Sequence, residues 1–329
     1  MSGMQKAYGA AGNSGSAMKS WFLRLHRWVA LLFALPLFFV LGTGLVLSFE
    51  PWVVVRAIEP GSLTPDKVQS LLTRHDPAGQ ARAISFRSYD KTLTIGGRGS
   101  AKLVDATSGE ALPGPSRLAS LFVTMRQVHE RLLFNLGWLV IASSYVMLVL
   151  ATLGVLMGWP RIRNTLAGWH KAMAWGLLPL IVLSPLTGLL LAYGVTFSTM
   201  PAAAPAAPLP LKDAVQIVGA RHDLSSLIWL RPLGPRLVVR FAEAGEFKTY
   251  AVTREGTLPL PRNWPRLWHE GNFAGAWSSL MNVLTSIVML GLLVTGVWIW
   301  LRRRLARRAR ARELRVRPEG FRAAVPPSA

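Results

Sequence analysis

Four long apolar runs divide the chain, at 21–49, 134–159, 169–195 and 276–301. Each reaches the ~20 residues a helix needs to cross hydrocarbon. No charge falls between Arg27 and Glu50, or between Lys171 and the end of the third run. These runs predict four transmembrane helices. The first is longer than the roughly 7–15 apolar residues of a signal-peptide core and reads as an uncleaved anchor. The segments between the runs, 50–133 and 196–275, carry a mixed pattern. Each opens with helical periodicity, at 65–72 and 211–218, and continues with strand-like pieces at 91–95 and 102–104, then 236–241 and 248–252. Turn residues follow at 105–110 and 253–256. The expected fold class is a mainly α-helical integral membrane protein with two small α+β modules outside the bilayer. A Gly/Ser/Ala-rich stretch at 1–20 reads as a disordered tail, 160–168 as a short loop, and 200–210, rich in Pro and Ala, as a semi-rigid spacer.

Composition narrows the chemistry. The chain has 329 residues, 51% of them hydrophobic, and no Cys. Absence of Cys excludes disulfides, thiolate zinc sites, iron–sulfur clusters, covalently attached haem and Cys nucleophiles. The net charge of +21 raises nucleic acid as a partner, but the charges lie beside the apolar runs. Lys6, Lys19, Arg24 and Arg27 lie in the N-terminal stretch through Arg27, before and at the start of the first; Arg161, Arg163 and Lys171 sit in the short loop before and at the third. Ten arginines, from Arg302 to Arg322, follow the fourth, against only Glu313 and Glu319. Basic residues in short segments flanking spans remain cytoplasmic. Both termini are therefore expected inside and the two long segments outside. The arginine tail is accounted for by topology and contact with anionic lipid, leaving no need for nucleic acid.

The two halves also resemble each other. Six histidines pair across them, His26 with His170, His75 with His222 and His129 with His269, at offsets of 144, 147 and 140 residues. Thr43-Gly44 and Thr187-Gly188 lie seventeen residues after His26 and His170; His75 and His222 each stand in Arg-His-Asp; His129 and His269 each precede Glu. Each half is then helix, external segment, helix, and the repeats run parallel, related by an axis along the membrane normal. That symmetry places paired residues at equal depth: His26 and His170 at the cytoplasmic ends of their spans, His129 and His269 at the outer boundary.

Ionisable groups at a span are functional candidates because leaving them there costs free energy. The plain alternative is that boundary histidines snorkel to the interface. Paired imidazoles facing across a helical bundle are suited to holding iron in a planar macrocycle. Gly42, Gly44, Gly137 and Gly188 would let backbone approach a flat ligand, or would serve close helix packing equally well. Arg24, Arg27 and Lys171 stand where the propionates of an inner haem would emerge, though the positive-inside signal explains them too. A zinc or copper ion would want further ligands, which only Glu130 and Glu270 offer, and only at the outer pair. His75 and His222 read as ordinary turn histidines, with a solvent-side site as the functional alternative.

Several short motifs carry a family resemblance over about 20–304. They are Leu25-His26-Arg27-Trp28 with Gly42-Thr43-Gly44; His129 with Trp159-Pro160-Arg161; Trp169-His170-Lys171 with Pro185-Leu186-Thr187-Gly188; and His269-Glu270-Gly271 with Thr295-Gly296 and Trp298. In order and spacing the chain resembles the PepSY-associated transmembrane proteins of bacteria, which include inner-membrane ferric-siderophore reductases. Its external segments resemble PepSY domains, chiefly through Val104-Asp105-Ala106-Thr107-Ser108-Gly109-Glu110; the second segment matches less well. The resemblance implies a haem-b oxidoreductase of the inner membrane, with two haems ligated by His26, His170, His129 and His269, passing electrons to a ferric siderophore or other ferric chelate outside. No nicotinamide or flavin fingerprint opens a helix after a strand, so the electron donor is expected to be a quinol, a separate reductase or a soluble reductant. The alternative is a non-catalytic, membrane-anchored regulatory or ligand-binding protein.

Overall fold

The computed structural model describes residues 2–96, 101–160, 162–199 and 209–316. Arg161, most of the 200–210 spacer and the tail from 317, with Arg317, Glu319 and Arg322, lie outside the described residues. The chain begins with α1 (Ser2–Leu32), α2 (Ala34–Leu47) and α3 (Glu50–Arg56). The segment expected as a disordered tail is therefore helical from Ser2. Extending an existing helix gains a hydrogen bond per residue without a new nucleus, so weak formers are carried along. Three helical stretches are long and apolar enough to span a membrane: Ala34–Arg56, Gly137–Leu156 and Ala276–Glu313. The first continues to Arg56, beyond the limit of 49 read from hydropathy.

The first external segment contains α4 (Pro65–His75), β1 (Ala83–Arg87), β2 (Thr92–Gly96), β3 (Lys102–Asp105), β4 (Ala111–Leu112) and α5 (Arg117–Arg131). The Thr64 hydroxyl accepts from the Lys67 amide at the start of α4, and Ser116 caps α5 in the same way through Ala119, satisfying amides that have no intrahelical partner. Leu132, Phe134 and Asn135 all have positive φ. This tight turn swings the chain from α5 into α6 (Gly137–Leu156).

The third apolar run is not one straight helix. It forms α7 (Leu166–Gly176) and α8 (Leu178–Ala192), bent by 64° at Leu177. Pro179, in the first turn of α8, lacks the amide that would continue the ladder to α7. Only if this bent pair crosses as a unit does the structure contain four spans.

The second segment holds α9 (Leu211–Gly219), β5 (Leu227–Leu233), β6 (Arg236–Glu243), β7 (Glu246–Thr253), β8 (Gly256–Pro259) and α10 (Trp264–Glu270), and α11 (Ala276–Val316) closes the described chain. The expectation of two separate modules is corrected here. All eight strands form one sheet in the order β4-β3-β2-β1-β5-β6-β7-β8, joined where β1 and β5 pair antiparallel through Ile84–Leu230 and Ser85–Trp229. The helices α4 and α9 pack against each other, and one buried cluster takes Val68, Leu72 and Val104 from the first half with Val215, Val239 and Phe241 from the second. Each half-sheet alone would leave an apolar face and a central edge exposed to water, so joining them removes both liabilities.

A second apolar cluster, with Leu37, Leu41, Met147, Ile181, Val288 and Met289, binds the membrane helices to one another. Large apolar side chains such as Leu32, Leu35, Phe38, Ile287 and Val294 point outward, as expected where the surroundings are lipid.

Candidate functional site

The outer histidines come together. His129 on α5 and His269 on α10 stand with ring centroids 6.0 Å apart and planes inclined at 49°. Each ring leans on a different membrane helix in the same way. His129 Nδ1 lies 3.1 Å from the Val40 carbonyl and 3.2 Å from Thr43 Oγ1; His269 Nδ1 lies 3.2 Å from both the Ser184 carbonyl and Thr187 Oγ1. A carbonyl only accepts, so each Nδ1 carries the proton and donates it. The threonines accept as well, because their own hydroxyls donate to Phe39 and Leu183. Nε2 of each ring is left as a bare lone pair, with no hydrogen bond from the described residues. Orienting an imidazole through its other nitrogen is the arrangement used for metal-ligating histidines.

The following glycines make the seating possible. A Cβ on Gly44 would stand 3.2 Å from His129 Cε1, and one on Gly188 would stand 3.1 Å from His269 Cε1. Of the four glycines named from sequence, these two abut a histidine. Gly42 faces open space, and Gly137 meets the Glu130 carbonyl instead.

Electrostatics keep the outer pair neutral. Burial, reinforced by His269 alongside, pushes the His129 imidazolium down to about 4. Burial lowers His269 too, against the opposing pull of Glu270. Burial by itself would raise the Glu270 carboxyl, but Arg240, Arg266 and Asn272 outweigh it and hold the group below the usual carboxylate range. Arg240 Nη2 and Asn272 Nδ2 donate to one oxygen at 3.0 and 2.7 Å, and Arg266 to the other at 2.7 Å. Glu270 is thus committed as the clasp between β6 and α10, and Glu130 is exposed. Neither completes a metal cage, and among the described residues no group of three or more His, Cys, Asp or Glu side chains gathers. A hydrogen-bonded ion pair between Arg126 and Glu50 ties α5 to α3.

At the other end, His26 on α1 and His170 on α7 lie within electrostatic reach of each other. His170 Nδ1 donates to Thr295 Oγ1 at 2.8 Å, and that hydroxyl donates onward to the Gly291 carbonyl. A Cβ on Gly296 would stand 3.5 Å from His170 Cε1. The pattern of the outer site recurs, Thr-Gly against histidine. His26 has no such seat: its Nδ1 is buried without a hydrogen-bond partner. Arg27, whose Nε is likewise buried and unpartnered, lies over the Trp28 ring, while Arg24 and Lys171 are exposed.

The remaining two histidines are engaged within the sheet domain. His75 Nε2 bonds the Gly109 carbonyl at 2.9 Å, holding the 105–110 turn. His222 bonds Glu243 and Thr257 through its two nitrogens and stacks on Phe241, centroids 4.8 Å apart. The threonines are what sequence reasoning missed. Thr43, Thr187 and Thr295 were visible as Thr-Gly pairs, but nothing in the sequence said that a distant imidazole would land on each.

The chain matches the PepSY-associated TM region over residues 23–303. Comparison with curated proteins finds no match. With most of its length inside that match, and with apolar helices of spanning length, the chain is a multi-pass membrane protein that belongs to the PepSY-associated transmembrane family.

Proposed function

We propose that this protein is a haem-b oxidoreductase of the bacterial inner membrane that carries electrons outward to a ferric siderophore or similar chelate. The observation that carries the reading is the outer pair. His129 and His269 would hold an iron between them if metal–nitrogen bonds of about 2 Å fitted the gap, which would put their ring centroids about 6 Å apart. In the structure the two centroids lie 6.0 Å apart. The donor chemistry fits as well, since both rings are neutral with Nδ1 engaged and Nε2 free. A haem iron between such ligands supplies reversible one-electron storage. The protein's own part is to fix both rings through Thr43 and Thr187, clear space with Gly44 and Gly188, and surround the pair with apolar helix.

In this reading α7 and α8 together form the third of four spans, arranged in two parallel repeats, with both termini cytoplasmic. Supporting it, Pro36 and Pro179 lie 143 residues apart, each close after a break in its helix, at Phe33 and Leu177. The sheet order also reads alike from either edge. His26 and His170 would hold the second haem on the cytoplasmic side, with Arg24, Arg27 and Lys171 near its propionates. The ferric chelate is the substrate, and a quinol or separate reductase is the donor. Reduction to ferrous iron loosens an oxygen chelator's hold by lowering the metal's charge.

The test is an absorption spectrum of the detergent-purified protein, oxidised and dithionite-reduced, with a pyridine haemochrome count. A Soret band that shifts on reduction, with about two haems per chain, is the expected result. A featureless spectrum from haem-replete cells would overturn the reading and return attention to the joined sheet as a ligand-binding surface.

A further inference from the structure

We infer that the inner site is unequal in its two ligands: His170 is the fixed one and His26 the displaceable one, so that the inner iron offers a coordination position to a small exogenous ligand such as carbon monoxide or imidazole. The inference rests on the haem reading above and concerns what the chain's own residues do to it. Three of the four membrane histidines have Nδ1 engaged by a threonine that stands directly before a glycine. The fourth does not. In α6, the residue before Gly154 is Leu153, a buried side chain with no oxygen to offer. A Cβ on Gly154 would meet nothing within 4 Å, so the His26 ring is not seated against it as the other rings are against Gly44, Gly188 and Gly296. The Leu150 carbonyl bears on the ring from nearby, but outside hydrogen-bond geometry, and Nδ1 remains buried and unpartnered.

The physical consequence follows from what the missing contact does elsewhere. A hydrogen bond accepted from Nδ1–H makes Nε2 a stronger donor and fixes the ring's rotation, and losing one typically costs about 10–100-fold in metal affinity. His26 has no such threonine, while His170, within electrostatic reach of it, does. An incoming ligand therefore competes against the weakest of the four imidazoles. The outer site, anchored twice on each side, stays closed.

The experiment uses the purified full chain with its haem. After dithionite reduction, carbon monoxide is added and the Soret shift is compared with the haemochrome count. One haem in two is expected to bind carbon monoxide. His26→Ala is expected to keep both haems and to bind carbon monoxide at the same single site, at least 10-fold more tightly. His170→Ala is expected to drop the count by one and to lose the carbon-monoxide band. Imidazole titrated into oxidised His26→Ala should restore a six-coordinate spectrum, a readout that mere misfolding would not give. Two haems with neither open to carbon monoxide would overturn this inference and leave the haem reading standing, as would equal haem loss in His26→Ala and His170→Ala. A count of zero in the unmodified protein would overturn the haem reading, and this inference with it.

Discussion

The His129 and His269 imidazoles, 140 residues apart in sequence, stand 6.0 Å apart across the protein, each donating from Nδ1 to a different membrane helix. Neither ring is placed by its own helix alone. α5 and α10 bring them close, while the Val40 and Ser184 carbonyls on α2 and α8, beside Thr43 and Thr187, decide which nitrogen remains free.

Removing those hydroxyls isolates their effect. Thr43→Val and Thr187→Val preserve shape and delete the acceptor. On the proposed haem reading, each is expected to weaken haem retention at the outer site by about 10-fold or more, read as the rate of haem transfer to an excess of apo-globin, with the inner site unaffected.

A side chain at Gly188 would enter the space that His269 occupies, since even a Cβ lies 3.1 Å from its ring. Gly188→Val is expected to displace the imidazole and, on the proposed two-haem reading, to lower the haemochrome count from two to one. Gly42→Val, at a position where a Cβ meets nothing within 4 Å, should leave the count at two.

The Arg240–Glu270 clasp joins the sheet to the helix that bears His269. Arg240 is 10% exposed at its side chain and Glu270 22%. Glu270→Ala leaves that guanidinium buried beside no carboxylate, at a cost of about 3 kcal/mol. A lowered thermal midpoint, together with lost outer haem, is the expected pair of readings.

Phe241 is fully buried in the core that both half-sheets share. Phe241→Ala should destabilise the external domain by about 3–5 kcal/mol. Limited proteolysis should then cut segments 50–133 and 196–275 together. Selective cleavage of the second alone would contradict the single core.

His222→Ala removes two hydrogen bonds and a ring stack but touches neither of the paired histidine sites. Tyr250, which donates to the other Glu243 oxygen at 2.6 Å, keeps that carboxylate partly satisfied. The expected cost is about 1–3 kcal/mol of stability, with haem content unchanged by haemochrome.

Much of this protein is legible in its sequence, because its strongest constraints are local. Uncharged runs such as 276–301 announce membrane helices, since hydrocarbon offers no partner for a charge or an open backbone group. Thr64-Pro65-Asp66 marks the start of α4 because a hydroxyl, a fixed φ and an acidic first turn all favour helix initiation there. The histidine pairs declare themselves as candidates by recurring in order. Less legible was the bend at Leu177: its apolar run reads as continuous, and hydropathy is blind to a missing amide. Pro179 was the available signal.

What only the tertiary structure decided is which partners the local elements found. The strand pieces read at 91–95 and 236–241 do not say that β1 and β5 will form and pair between them, because backbone ladders carry no sequence label and register is set by the apolar faces they jointly bury. Nor does a threonine in a membrane helix reveal whether its hydroxyl serves only its own backbone or also receives an imidazole from a distant helix. Sequence marked the apolar spans, α4, α9 and part of the strands, and nominated the histidines, through periodicity, charge and repetition; the helices α5 and α10 that carry His129 and His269, and the joining strands β1 and β5, were not read from it. Packing decided that His129 meets His269, that Thr43, Thr187 and Thr295 hold three rings, and that His26 goes unheld.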